Sequence, residues 1–204
     1  MFITFEGIEG SGKSTQAKLL VEYLRGKGLN VILTREPGGV ELSERIRSIL
    51  IETGLDISPR AELLLFLASR AQHTDGLIRP SLQKGHIVVC DRYIDASVAY
   101  QGYGRGLSIE MIKRLNDWAT GGIRPNLTVL LDLSPEEGLK RVRTSKKMDR
   151  IEGENLEFHR RVREGYLEIA RSDPDRFLVL DATRSMEEIQ RFIREAVEAC
   201  LKTS

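Results

Sequence analysis

The chain has 204 residues, enough for one α/β domain with a substantial core. Its 31 Lys and Arg face 30 Asp and Glu, a balance that excludes a global pull toward nucleic acid or anionic membranes. No stretch approaches a transmembrane span, the N-terminus lacks the form of a signal peptide, and the 2 cysteines fit no metal spacing, so Cys90 and Cys200 read as buried thiols in a reducing cytoplasm.

Strands and helices are predicted to alternate from the start. Phe2–Glu6 is an apolar strand, and Gly7-Ile8-Glu9-Gly10-Ser11-Gly12-Lys13-Ser14 follows it as G-x-x-x-x-G-K-[ST]. Glycines in that spacing turn backbone N–H groups inward around a β-phosphate. Lys13 adds charge toward the β/γ-phosphates, and the Ser14 hydroxyl suits Mg²⁺. The helix that follows, Ser14–Lys27, buries Ala17, Leu20, Val21 and Leu24 on one side and stops at Gly28. Its N-terminus, with Thr15 in the first turn, aims a positive dipole end at the same anion. The loop predicts binding of a nucleoside triphosphate.

Val31–Thr34 is the second strand and Leu42–Ile51 the second helix. A long helix is expected from Ala61 to Lys84, bent or interrupted at Pro80. Within it Phe66 and Arg70 stand i,i+4 and share a face, where a ring and a guanidinium one turn on would stack a base and bond its carbonyl. Plain core is the alternative for Phe66, given Leu63-Leu64-Leu65-Phe66-Leu67, but it suits Arg70 poorly, because an unpaired buried guanidinium is costly. The strand Ile87–Cys90 runs into Asp91-Arg92-Tyr93. A carboxylate at that strand end orients Mg²⁺, and the adjacent arginine reaches a second phosphate, unless the pair is only a surface salt bridge. Continued helix beyond it would put Tyr93, Ser97 and Tyr100-Gln101 on one face.

The remaining elements are a helix over Ser108–Thr120 stopped by Gly121-Gly122, a strand over Leu127–Leu133, and a helix from Pro135. Helix Leu156–Arg171, strand Phe177–Leu180 and helix Met186–Lys202 complete the chain. Five strands separated by helices imply a parallel, doubly wound three-layer sandwich in a single domain, residues 1–204, with no internal repeat or linker. The basic stretch Leu139–Arg150 lies between two helices. It reads either as a solvated face or as a flexible lid over about 141–152 that closes over phosphates and excludes water. There is no N-K-x-D guanine reader.

Taken together, these segments resemble the bacterial type of thymidylate kinase, a P-loop nucleoside monophosphate kinase family. The likeness rests on Thr4-Phe5-Glu6-Gly7, the phosphate loop with Glu9, Thr34-Arg35-Glu36-Pro37-Gly38-Gly39, Phe66 through Arg70 and Cys90-Asp91-Arg92-Tyr93. Ala99-Tyr100-Gln101-Gly102 and Asp149-Arg150-Ile151-Glu152 complete the set, in that order. The resemblance implies a P-loop NTPase fold, transfer of the ATP γ-phosphoryl group to dTMP with Mg²⁺, and a homodimer that binds neither nucleic acid nor membrane. It implies that Phe66 and Arg70 pack thymine and contact its O4, with Ser97 and Gln101 at the thymine edge. Tyr100 would lie beneath the sugar, Pro37 near the 5-methyl group, and Arg35 in the wall of the pocket.

Arg47 and Arg92 would hold the acceptor phosphate, although Arg47 also reads as a solvated helix residue. Glu9 would point to the 3′-OH of the sugar, with a possible catalytic contribution beside Lys13 and Arg92. ATP would be cradled from Gly7 to Thr15, its adenine between Arg141 and the segment around Thr183. Gly10 stands where one subtype carries an arginine, which shifts the catalytic cation to the lid. There Ser145 occupies a position often held by arginine, so Arg143, Lys146, Lys147 or Arg150 must supply the charge. The rivals are a kinase for another nucleoside monophosphate, or a nucleotide-dependent switch or assembly ATPase that shares only the loop.

Overall fold

The structure, a computed structural model, describes residues 1–145 and 149–203. Among them lie five strands, β1 (Phe2–Glu6), β2 (Val31–Arg35), β3 (Ile87–Asp91), β4 (Leu127–Asp132) and β5 (Phe177–Asp181). All pair in parallel in the order β2-β3-β1-β4-β5. Every residue of β1 is buried, as expected of a central strand covered on both faces. Its alternation divides the core. Ile3 and Phe5 join Val89 and Leu20 in a large cluster, whereas Phe2 joins Val88, Cys90, Ile78 and Tyr93 in a smaller one.

The helices are α1 (Lys13–Gly26), α2 (Glu41–Ile51), α3 (Pro59–His73), α4 (Arg79–Gln83), α5 (Ile94–Ser97), α6 (Ile109–Thr120), α7 (Pro135–Ser145), α8 (Leu156–Ser172) and α9 (Met186–Thr203). Strand order reverses at β1, so the crevice beyond its carboxyl end is the natural ligand site. The phosphate loop connects β1 to α1 at that end.

Two helical expectations are corrected. The long helix over 61–84 is interrupted before Pro80: α3 ends at His73 and a wide π-type turn spans Thr74–Ile78. Pro80 sits in the first turn of α4, where its missing N–H costs nothing. Beyond β3 the chain forms only one turn of α-helix, then a π-type turn over Val98–Gly104. Tyr93 precedes that helix and packs in the smaller core cluster, its ring edge-on to Phe2 at 4.9 Å, whereas Ser97 and Gln101 line the cavity. Cys90 is buried as expected but Cys200 only partly, and neither forms a disulfide.

The phosphate loop is braced by α7 through two glycines. A Cβ on Gly10 would lie 2.3 Å from the Gly138 carbonyl oxygen, and a Cβ on Gly138 would lie 2.4 Å from that of Glu9. Gly10 also holds a φ of +73°, which disfavours any side chain. An arginine at position 10 is therefore incompatible with this packing of α7. We predict that Gly138→Ala lowers stability by about 1–3 kcal/mol through overpacking, despite alanine's better helix propensity. Equilibrium denaturation checks this, and a variant as stable as the parent would contradict it.

Candidate active site

One cavity of about 430 Å³ runs from the phosphate loop to α3. At the loop end it is lined by Gly10, Gly12, Lys13, Ser14, Thr15 and Asp91, and at the other end by Phe66, Arg70, Ser97, Tyr100 and Gln101. Glu9 and Arg92 lie between them, and Arg35, Pro37 and Arg47 close one wall. Most of the sequence-predicted residues thus line one cavity, while Gly7, Ile8, Ser11, Arg143, Arg150 and Thr183 lie outside its lining.

In the loop, the Ile8 carbonyl accepts from Lys13 Nζ at 2.7 Å and from Ser11 Oγ at 2.8 Å, and the Gly7 carbonyl accepts from Arg92 Nη1 at 3.1 Å. Burial, with Arg92 nearby, pushes Lys13 down to about 8. The Ser14 hydroxyl donates to Asp91, so a hydroxyl from α1 meets a carboxylate from the end of β3. That is a hard-oxygen pair of the sort that holds a divalent cation bridged to phosphates.

Arg92 links the two halves of the site. Its backbone takes a positive φ of 72°, uncommon for a residue with a Cβ, while its N–H bonds the Phe5 carbonyl at 2.9 Å. That turn brings its guanidinium 2.9 Å from Glu9 Oε1 and 3.1 Å from Tyr166 Oη. Tyr100 Oη donates to the same Glu9 oxygen at 2.5 Å. Burial works against ionisation of Glu9, but Arg92, His159 and Lys13 hold its carboxyl well below the usual range. The second oxygen, Oε2, is buried without a hydrogen bond and lies 3.5 Å from His159 Nδ1.

Arg70 is 1% exposed. It donates to Glu36 Oε2 at 2.7 Å, Ser97 Oγ at 2.8 Å, Asn116 Oδ1 at 2.6 Å and the Tyr93 carbonyl at 2.8 Å. The guanidinium that plain core could not explain is thus paired. Arg47 donates to the Pro37 carbonyl at 3.0 Å, and Arg35 makes a two-pronged pair with Glu44.

The lid cations distribute unevenly. Arg141 lines the cavity, 3.4 Å from both the Gly10 and Ala182 carbonyls, while neighbouring Thr183 bonds Asp181 outside it. Arg143 is exposed and outside the cavity lining. Arg150 departs from the expectation of a cation directed at phosphate. Its guanidinium is drawn to Glu62 Oε2 at 2.6 Å and to the Leu50 carbonyl at 3.0 Å, because Glu62 is a buried anion. Lys146 and Lys147 lie outside the described residues.

Sequence reading passed over Glu62, His159 and Tyr166. Glu62 was detectable, since it stands four residues before Phe66 and eight before Arg70 on one helix face. His159 and Tyr166 carry no local signal, and Tyr166 reaches the site by donating to Glu6 at 2.8 Å. Burial and the nearby Asp95 raise Glu6 to about 7.

Known proteins are similar to this chain over nearly its whole length. The thymidylate kinase family model matches residues 5–193. A thymidylate kinase of Kosmotoga olearia is 50% identical over 202 residues, covering 99% of this chain and 97% of that one. One from Symbiobacterium thermophilum is 48% identical over 202 residues, covering 98% and 94%. The crystal structure of thymidylate kinase from Ehrlichia chaffeensis has a TM-score of 0.79 and 38% identity, covering 97% of this chain and 98% of that one.

The lowered Lys13 value gives a pH dependence. Triphosphate favours the protonated amine, so affinity for a nucleoside triphosphate holds below about 8 and falls as pH rises through it. Fluorescence titration between pH 7 and 9.5 tests this, and a flat profile would contradict it.

Proposed function

The chain belongs to the thymidylate kinase family, and we propose how its cleft turns ATP and dTMP into ADP and dTDP. The enzyme is a nucleoside monophosphate kinase of nucleotide biosynthesis with the P-loop NTPase fold. One observation carries the assignment of roles. The phosphate loop and the Phe66–Arg70–Gln101 pocket open into the same cavity, with Glu9 and Arg92 at their junction. Donor and acceptor phosphates would meet there.

In this reading, Gly7 through Thr15 cradle the triphosphate with backbone N–H groups, and Lys13 balances the charge on the transferred group. Arg141 and the segment around Thr183 flank the adenine. Ser14 and Asp91 hold the divalent cation that such kinases use, which we assign as Mg²⁺ from their oxygen donors. When bound, that ion neutralises charge on the β- and γ-phosphoryl oxygens.

The acceptor end reads the base and sugar. Phe66 offers a stacking face, Pro37 packs the 5-methyl group, and Arg70, Ser97 and Gln101 meet the thymine edge. Glu9 accepts from the 3′-OH and Tyr100 packs beneath the sugar, both residues lining the cavity. Arg92 and Arg47 hold the acceptor phosphate, with Arg35 in the pocket wall. That phosphate is already an anion at neutral pH, so alignment and charge neutralisation suffice without a strong general base.

The segment 141–152 acts as a lid on a single domain. Its cations, Arg143 and Lys146 among them, complete the charge that Gly10 does not supply. Arg150 anchors the lid's far end through Glu62.

We further assign a homodimer and the cytoplasm. Support for the dimer comes from Leu64, Met111 and Trp118 on α3 and α6, exposed at 59%, 52% and 83%. Among the described residues no helix is long and apolar enough to cross a membrane.

The roles are tested by steady-state ADP production with dTMP, UMP and AMP in turn. Turnover should be robust only with dTMP, and Glu9→Ala should lower kcat/KM for dTMP by about 10–100-fold through loss of its sugar and Arg92 contacts. Equal ATP consumption with and without a monophosphate would overturn the reading.

A further inference from the structure

Glu62 stands one helical turn before Phe66 and two before Arg70, and is 1% exposed. Its Oε1 accepts from Gln101 Nε2 at 2.9 Å and from Arg105 Nε at 3.2 Å. Its Oε2 accepts from Arg105 Nη2 at 3.1 Å and from Arg150 Nη2 at 2.6 Å. Burial opposes its ionisation, but the hydrogen bonds from Arg105 and Gln101 hold its carboxyl below the usual range. An ionised carboxylate only accepts, so the nitrogen end of the Gln101 amide must face it. The carbonyl oxygen is then the end that Gln101 turns to the cavity it lines.

Arg70 supplies the opposite character beside it. A guanidinium has five N–H donors. Four of Arg70's are committed, to Glu36, Ser97, Asn116 and the Tyr93 carbonyl, which leaves one on Nη2. Ser97 and Gln101 stand on successive turns of the same segment, so the cavity wall carries a fixed donor near a fixed acceptor.

We propose that Glu62 is a positioning residue for base specificity: by accepting from Nε2 of Gln101 it locks that amide with its carbonyl toward the acceptor base. The inference rests on dTMP binding at this end of the cavity, as assigned above. Thymine presents a C4 carbonyl beside an N3–H, the complement of the Arg70 donor and the Gln101 acceptor. Cytosine presents a 4-amino group beside a bare N3, and meets like against like at both positions. Buried polar groups left unpaired in this way are the strongest basis for rejecting a substrate of the same shape. The lock does not act on the 5-methyl group, so it separates thymine and uracil together from cytosine.

Glu62→Gln tests the lock at constant shape. A glutamine there offers an N–H as well as a carbonyl, so the Gln101 amide is free to turn over. The ratio of kcat/KM for dTMP to that for dCMP should fall by about tenfold or more, and the same substitution in a Gln101→Leu background should leave the ratio where Gln101→Leu sets it. A purely structural Glu62 would lower stability and both activities while keeping the ratio, and that result would overturn the proposal.

A measurement on the unsubstituted protein covers the case in which the variant does not fold. In a crystal structure of the dTMP complex, Gln101 Nε2 should keep its contact with Glu62 while Oε1 lies within hydrogen-bond distance of the base; an amide detached from Glu62 would overturn the proposal. The two readings fail separately. Parent enzyme that turns over dCMP as well as dTMP refutes the assigned base pocket. A parent that discriminates, with an unchanged ratio in Glu62→Gln, refutes the role of Glu62 alone.

Discussion

Four guanidiniums in or behind this cleft are each paired with a carboxylate. Arg70 comes with Glu36, Arg92 with Glu9, and Arg105 and Arg150 with Glu62. Removing one partner of such a pair strands a charge away from water, at a cost of about 3–5 kcal/mol. The pairs therefore fix the segments that carry them. Glu9 rides on the phosphate loop and Arg92 on the end of β3, so their contact sets the loop against the acceptor pocket. Glu36 belongs to the turn after β2 and Arg70 to α3, so theirs ties those two walls of the cavity together. The pairing does not exhaust the cations' donors, as the fifth N–H of Arg70 shows.

The backbone arrangement makes those pairs possible. Parallel strands end in register at the crevice beyond β1, where Phe5 pairs with Asp91. The positive φ of Arg92 then turns its side chain back over the loop, a modest strain repaid by three hydrogen bonds from its guanidinium. The Gly10–Gly138 contact seats α7 directly on the phosphate loop. Strand ends thus carry the residues that line the cleft, while Arg150 after α7 is bound to Glu62 on α3.

Much of this was legible in the sequence. The phosphate loop is a local motif, and the strands follow from short apolar runs bounded by Gly, Pro or charge. The π-type turns at Thr74–Ile78 and Val98–Gly104 were not, because the hydrophobic spacing of a helix does not register one extra residue in a turn. Phe66 and Arg70 stood out by helical spacing and Ser97 and Gln101 by family likeness, and all four line the cavity. Their partners were harder to see, since Glu9 and Arg92 are 83 residues apart and Glu62 and Arg150 are 88. No period links such positions. For the same reason Arg150 read as one more lid cation until its buried partner was known.

The central claim is that paired carboxylates hold the cleft's cations ready for the acceptor. Glu36 isolates it, because its Oε2 bonds Arg70 while its Oε1 lies 3.0 Å from His73 Nδ1, and neither contact is a step of the reaction. Calorimetric titration of dTMP into Glu36→Gln, without ATP, is the most direct test. The account predicts binding weaker by about tenfold or more in a protein that remains folded. An unchanged dissociation constant would mean that Arg70 is held by its other partners, and would contradict the claim.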